Sequence, residues 1–224
     1  MTVVIGLMTN NSIVFGSDGY AIYQDDAEGP VYKTDTYSKI HMIGENRYLL
    51  GSAGSHQIGY QLQQTLEDEE HPGLLENAFL DHLGGQIKQL NNNSEGKETT
   101  FLLGYFSGNA PQVIVFQKDG SYSGNQHISA LGSGADLAME YLSKIYRVDW
   151  KVGEAVGHMV DAIFASSRIP TVNFLPMISI LSKDRSIGLS SITVDTYDRF
   201  KSDLKQQLIE KAIHYSSEAD VQGD

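Results

Sequence analysis

The sequence predicts an α+β fold in which antiparallel sheets are covered by helices. Strand-like runs come in pairs around short polar turns, and helix-like runs come in pairs as well. The two kinds follow one another as blocks, in the order strands, two helices, strands, two helices, strands, one helix. A parallel sheet would instead alternate strand and helix one for one, because each parallel connection needs a crossover. The 224 residues suit one large domain, at about 100 to 200 residues per domain. We therefore read 1–224 as one domain, with a polar tail over 216–224 expected to fray.

The first strands are expected at 3–8 and 12–17, flanking Thr9-Asn10-Asn11-Ser12, whose short polar side chains tolerate turn geometry. Asp25, Asp26, Glu28, Gly29 and Pro30 mark an acidic loop, and a second hairpin follows, Lys39 to Ile43 and Arg47 to Ser52 around Gly44-Glu45-Asn46. After Gly54 the period lengthens: Ile58, Leu62 and Leu66 recur at the spacing of one helix face. Leu75, Phe79, Leu83, Ile87 and Leu90 resume it beyond Pro72-Gly73, predicting a second helix or a kinked continuation that ends at Asn91-Asn92-Asn93-Ser94.

Strands return at Thr99 to Phe106, Gln112 to Gln117 and Ser121 to Ser123, a meander with turns at Gly108-Asn109-Ala110-Pro111 and Asp119-Gly120. A fourth run, His127 to Leu131, leads into Gly132-Ser133-Gly134. Leu137, Tyr141, Leu142 and Ile145, then Val156, Met159, Val160 and Ile163 beyond Asp149-Trp150, give a helix pair over 134–165. Met177 to Leu181 and Leu189 to Val194 form the last strand pair. An amphipathic helix follows, with Phe200, Leu204, Leu208, Ala212 and Ile213 on one side.

Composition excludes several functions. Lys plus Arg is 16 against 28 Asp plus Glu, a net charge of −12, so there is no basic footprint for nucleic acid. Cysteine is absent, which removes disulfides, thiolate metal sites and cysteine nucleophiles together. Apolar runs such as Phe174 to Leu181 fall far short of the roughly 18 residues of a membrane helix. Met1 to Gly6 carries no Lys or Arg before its apolar residues, unlike a secretory signal, and the cytoplasm is the expected compartment. The phosphate-binding Gly-x-x-x-x-Gly-Lys, the dinucleotide fingerprint, His-Glu-x-x-His and Gly-x-Ser-x-Gly are all missing. The histidines at 41, 56, 71, 82, 127, 158 and 214 form no pair at helical metal-ligand spacing. Neither a metal nor an organic cofactor is expected.

What remains is Thr2. If Met1 is removed, one residue carries both a hydroxyl and a free α-amine, and an amine of pKa about 7.7 to 8.0 can take the hydroxyl proton through a water. No propeptide is expected ahead of Thr2, so aminopeptidase removal of Met1 would suffice for activation. The plainer alternative is a chain that begins Met-Thr by chance.

Several motifs in series bear on that choice. Asp18 follows Thr2 by sixteen residues, within Gly16-Ser17-Asp18-Gly19-Tyr20-Ala21. Ser38-Lys39-Ile40, Gly51-Ser52-Ala53-Gly54, Leu102-Leu103-Gly104-Tyr105, Asp119-Gly120-Ser121-Tyr122 and Ala130-Leu131-Gly132-Ser133-Gly134 come after it in order. In these motifs the sequence resembles the proteasome β-subunit family of N-terminal nucleophile hydrolases over residues 2–195, with the HslV-type peptidase as the closest-looking branch. The resemblance implies a four-layer α-β-β-α sandwich. It implies that Thr2 is the nucleophile, that Lys39 acts through its charge, and that Asp18 holds Lys39. Ser133 would bond near the Thr2 amine, and the Gly54 amide would be the oxyanion donor. Plainer roles stay open: a surface lysine on an edge strand for Lys39, a turn aspartate for Asp18, a helix N-cap for Ser133, and a tight turn for Gly54.

The chain departs from the family where many members carry an Arg-Asp pair after the second helix of the later pair. It has Ser167-Arg168-Ile169-Pro170-Thr171 there, without aspartate. The loop from Tyr20 to Lys39 is also longer than usual, and its acidic residues could border a substrate pocket or be plain solvated surface. The expected activity is a threonine peptidase that degrades peptides or unfolded proteins inside a self-associated ring, with an ATP-dependent unfoldase as a possible partner. A catalytically silent assembly subunit and a small-molecule amidase are the alternatives.

Overall fold

A computed structural model describes residues 2–24, 31–34, 37–44, 47–68, 76–94, 98–124, 126–169, 172, 175–183, 185–189 and 205–214. Strands β1 (Val4–Met8) and β2 (Ser12–Asp18) form the expected first hairpin, in register from Val4↔Ser17 to Met8↔Ile13. Thr9 closes the turn: its hydroxyl accepts the Ser12 amide at 3.0 Å, and its own amide donates to the Ser12 carbonyl at 2.7 Å.

The stretch read as an acidic loop is not all loop. Strands β3 (Ala21–Gln24) and β4 (Val31–Thr34) pair as a separate two-stranded ribbon. The β-branched and aromatic residues Ile22, Tyr23, Val31 and Tyr32 favour strands, a signal masked in the sequence by the acidic cluster between them. Asp25, Asp26 and Glu28 lie outside the described residues. The second hairpin is β5 (Ile40–Ile43) and β6 (Tyr48–Gly54). Two helices follow, α1 (His56–Asp68) and α2 (Glu76–Asn92), with Pro72-Gly73 and Leu75 outside the described residues.

The meander comprises β7 (Thr99–Ser107), β8 (Ala110–Phe116) and β9 (Tyr122–Ser123). Its first turn is tighter than expected, because Ala110 pairs with Ser107 and Pro111 with Phe106 inside the ladder. Proline is tolerated there because β9 pairs only with Val115 and Phe116, leaving the outer side of β8 open at 111. Strand β10 (Ile128–Leu131) leaves the meander and pairs with β1. Helices α3 (Ala135–Ser143) and α4 (Val152–Ser166) are the expected pair.

The last strands are β11 (Pro176–Ser182) and β12 (Arg185–Leu189). Of the strand expected over Leu189 to Val194, Leu189 lies in β12 and 190–194 lie outside the described residues. The hairpin closes with Ser182 paired to Arg185, so the polar Arg185 and Ser186 are already strand, ahead of the expected start. Residues 190–204 lie outside the described part, Phe200 and Leu204 among them. A final helix, α5, spans 205–214; it buries Leu208 and Ala212 as expected but leaves Ile213 51% exposed.

Two five-stranded antiparallel sheets result, ordered β10-β1-β2-β11-β12 and β5-β6-β7-β8-β9. Each strand's alternation feeds a different layer. Val3, Ile5 and Leu7 pack with α3, α4 and α5, whereas Val4 and Met8 face the second sheet. Phe101, Leu103 and Tyr105 pack with α1 and α2, whereas Leu102 faces the first sheet. Three apolar layers separated by two sheets make the four-layer α-β-β-α sandwich. The sheets approach closely around Phe15: a Cβ on Gly104 or Gly51 of the facing sheet would lie 3.0 or 3.4 Å from its ring, and one on its cross-strand neighbour Gly6 2.9 Å from it.

Candidate active site

The first hairpin brings the chain start to the end of β2. Val4 pairs with Ser17, and the Asp18 amide continues the ladder one step by donating to the Val3 carbonyl at 3.3 Å. The Asp18 side chain thereby reaches the residues ahead of β1. Its Oδ1 accepts the Thr2 hydroxyl at 2.7 Å and the Val3 amide at 2.8 Å. Its Oδ2 accepts the Tyr20 amide at 3.2 Å.

Lys39 arrives from the opposite sheet. It immediately precedes the edge strand β5, and the Ser52 amide of β6 fixes its carbonyl at 3.0 Å. Despite the edge position its side chain is 7% exposed, and its Nζ donates to Asp18 Oδ1 at 2.7 Å and to the Asp18 carbonyl at 3.0 Å. One carboxylate oxygen thus takes three donors: the Thr2 hydroxyl, the Val3 amide and the Lys39 ammonium. Asp18 is fully buried and Thr2 nearly so. Burial pulls the Lys39 ammonium below its ordinary pKa, and the charge and hydrogen bond of Asp18 offset only part of that.

Ser133 joins this group on the backbone side. Its hydroxyl donates to the Thr2 carbonyl at 3.4 Å, and the Gly134 amide donates to the same oxygen at 3.2 Å. The N-cap reading does not hold, because Gly134 is the N-cap of α3 and no side chain caps it. Gly132 allows the approach. Its φ is +90°, a region that favours glycine, and a Cβ there would lie 2.3 Å from the Thr2 carbonyl oxygen.

Gly54 stands apart. It ends β6 at φ +137°, where a Cβ would lie 2.1 Å from the Glu98 carbonyl oxygen. The next residue is fastened the same way: the Ser55 amide donates to Thr99 Oγ1 at 2.8 Å, and the Asn91 side chain clamps the Thr99 backbone. The turn is thus anchored to β7 and α2. Among the described residues its contacts run to Glu98 and Thr99, outside the hydrogen-bonded group of Thr2, Asp18, Lys39 and Ser133.

Sequence reasoning missed Ser166, the last residue of α4. It is fully buried, and its hydroxyl lies 3.0 Å from the Gly134 carbonyl and 2.9 Å from that of Ala162. The only hint in sequence is a serine ending a helix whose neighbouring positions are apolar. Of the segment where the family aspartate was expected, Arg168 is exposed, and Pro170 and Thr171 lie outside the described residues. Among the described residues no group of three histidine, aspartate or glutamate side chains could hold a metal ion, and no helix is long and apolar enough to cross a membrane.

Comparison with known proteins bears on this geometry. The family described as proteasome subunit matches residues 2–174, a stretch that contains Thr2, Asp18, Lys39, Gly54, Ser133 and Ser166. No curated protein gives a significant match. Among solved structures, the Gly-1 mutant of Anbu from Hyphomicrobium sp. strain MC1 is similar, with a TM-score of 0.71 at 16% identity over 97% of each chain. At that identity the likeness speaks to the fold, and the family match covers well over half of the sequence. The chain belongs to the proteasome subunit family of N-terminal nucleophile hydrolases.

Proposed function

We propose that this chain, processed so that Thr2 leads it, is a threonine-type peptidase acting on peptides or unfolded proteins. The observation that carries this reading is the meeting of the Thr2 hydroxyl and the Lys39 ammonium on one buried oxygen of Asp18. Residues from the chain start, the end of β2 and the opposite sheet converge there, and two of the three are ionisable groups removed from water. Such an arrangement costs stability unless it is hydrogen-bonded, and it concentrates charge beside a hydroxyl.

In the proposed reaction Thr2 Oγ attacks the amide carbonyl carbon while its proton passes through a water to the Thr2 α-amine. The amine then protonates the leaving nitrogen, and a second water hydrolyses the resulting ester. Lys39 lowers the cost of negative charge on Oγ, and Asp18 orients Lys39. Ser133 and the Gly134 amide hold the Thr2 carbonyl and so fix the backbone that carries the hydroxyl and amine. The Gly54 amide is the proposed oxyanion donor, a role for which a rigid turn is suited. We further propose that copies close into a ring, with the sites in a chamber.

The test is a processed protein, confirmed by intact mass, assayed on peptide amides. Thr2→Ala removes the attacking oxygen, so it should abolish turnover while the fold persists; equal activity in that variant would sink the assignment. A peptide epoxyketone, which needs hydroxyl and amine on one residue, should add covalently at Thr2. One observation favours the silent-subunit reading: Thr2 is 5% exposed and its hydroxyl donates to Asp18. An absent adduct on processed protein would select that reading.

A further inference from the structure

We propose that Ser166 is a positioning residue for the Thr2 site and acts through Gly134. The peptide linking Thr2 to Val3 is held at both ends. Its N–H donates to Asp18 Oδ1 at 2.8 Å, and its carbonyl accepts the Gly134 amide at 3.2 Å and the Ser133 hydroxyl at 3.4 Å. Asp18 is itself fixed by Lys39 and by the Tyr20 amide. The carbonyl end depends on where Gly134 sits, and Gly134 is the N-cap of α3.

Three groups define that seat. A Cβ on Gly134 would lie 2.9 Å from Ser166 Cβ, 3.0 Å from Val3 Cβ and 3.2 Å from Val172 Cγ2. Gly134 is thus wedged between the end of α4 and the start of the chain. Ser166 adds a directed bond to this contact. A serine inside a helix ordinarily donates to the carbonyl four residues back, here that of Ala162 at 2.9 Å. This hydroxyl also lies 3.0 Å from the Gly134 carbonyl, so its single hydrogen is shared between its own helix and the turn.

The pairing spans three elements. Ser166 on α4 fixes the carbonyl of Gly134, the amide of Gly134 fixes the carbonyl of Thr2, and Thr2 carries the hydroxyl. Stability and position can be separated here. Without the Ser166 hydroxyl the Gly134 carbonyl still accepts the Ala138 amide at 3.2 Å, so no buried oxygen is orphaned. What is lost is the tie between α4 and the turn. A nucleophile displaced by a fraction of an ångström loses rate and not affinity.

The effect on turnover rests on Thr2 being the nucleophile; the effect on the turn does not, and the experiment measures both. Ser166→Ala and Ser166→Thr are compared with wild type by amide hydrogen exchange of a peptide covering 131–138 and by steady-state kinetics on a peptide amide. In Ser166→Ala exchange at the turn should quicken, and kcat should fall by about ten- to a hundredfold. KM should change by less than about twofold. Ser166→Thr keeps the hydroxyl on the same carbon and should recover most of the rate and the protection. A purely structural serine would lower the melting temperature of Ser166→Ala without this split between kcat and KM. Unchanged exchange at the turn in Ser166→Ala overturns the positioning role, whether or not peptides are cleaved. A wild-type protein that never forms an adduct at Thr2 overturns the peptidase reading instead.

Discussion

Among the described residues, two buried or half-buried lysine–aspartate pairs join separate elements of this molecule, and they differ in how much water reaches them. Lys39 and Asp18 join the two sheets with side-chain exposures of 7% and 0%. Lys205 on α5 and Asp161 on α4 join two outer helices at 31% and 19%, and Asp161 also accepts the Tyr141 hydroxyl at 3.2 Å. An exposed pair contributes little, because water already solvates both ions. A buried pair carries a desolvation penalty that its attraction does not reliably offset. The outer pair is therefore explained by helix docking. The inner pair needs another explanation, and its contact with the Thr2 hydroxyl supplies one.

The largest effect is expected from breaking the inner pair. Lys39→Ala leaves Asp18 buried without its cation, which should cost about 3 to 5 kcal/mol in denaturant unfolding. Activity should vanish as completely as in Thr2→Ala, because groups acting as a unit are not additive. Lys39→Arg should not rescue turnover, since a planar guanidinium cannot take the place of a point ammonium beside Thr2 Oγ. The double variant Lys39→Met with Asp18→Asn sharpens the contrast. It removes both buried charges, so it should recover much of the lost stability and none of the activity. Recovery of activity as well would show that the pair serves the fold alone.

That contrast also explains what the sequence could and could not convey. Thr2 could be singled out from its own chemistry, whereas Asp18 and Lys39 were named only through the family resemblance; in the fold β1 and β2 set Thr2 against Asp18, and Lys39 opens the next hairpin. The layer assignment of Val3 against Val4 was not legible, because both sit in a continuous apolar run and only the packing shows that they face different layers. Ser133 was legible as a site residue but not in its contact. A Gly-Ser-Gly turn reads as a cap, and only the packed structure puts the hydroxyl on the Thr2 carbonyl. Ser166 was not legible, since its partner lies 32 residues away in sequence and depends on how α4 meets α3. The β3–β4 ribbon and the early start of β12 were hidden for a different reason: charged and polar residues there outweighed a weak strand signal.

A smaller effect, in pH, distinguishes the pairs again. The folded pKa of Lys39 lies below its ordinary 10.5. Between those two values the unfolded chain binds more protons than the native one, so unfolding free energy should rise with pH across that window. Turnover should do the opposite and fall as the ammonium is lost, giving an alkaline limb of kcat below 10.5. The experiment is a pH series of urea unfolding beside a pH–rate profile. Lys39→Met should remove the rise in stability. An alkaline limb at or above the ordinary lysine value would show that Lys39 is not the group whose charge supports catalysis.

The smallest effect belongs to the outer pair. Lys205→Met removes the charge but keeps the apolar stem, which matters because Lys205 Cε would lie 3.3 Å from a Cβ on Gly157 and so covers that part of α4. Asp161 keeps the Tyr141 hydroxyl and reaches water, so no ion is stranded. The expected loss is under about 1 kcal/mol. At this chain length that corresponds to a fall of about 2 to 4 °C in melting temperature for each kcal/mol. The difference between wild type and variant should shrink as salt is added, because the outer pair is partly open to screening. Thermal unfolding at low and high ionic strength measures both quantities. Turnover should be unchanged, since Lys205 lies against α4 and touches none of Thr2, Asp18 or Lys39 through the described contacts. A salt-insensitive loss as large as that of Lys39→Ala would mean that α5 docking depends on this ion pair, and burial would then no longer separate the two pairs.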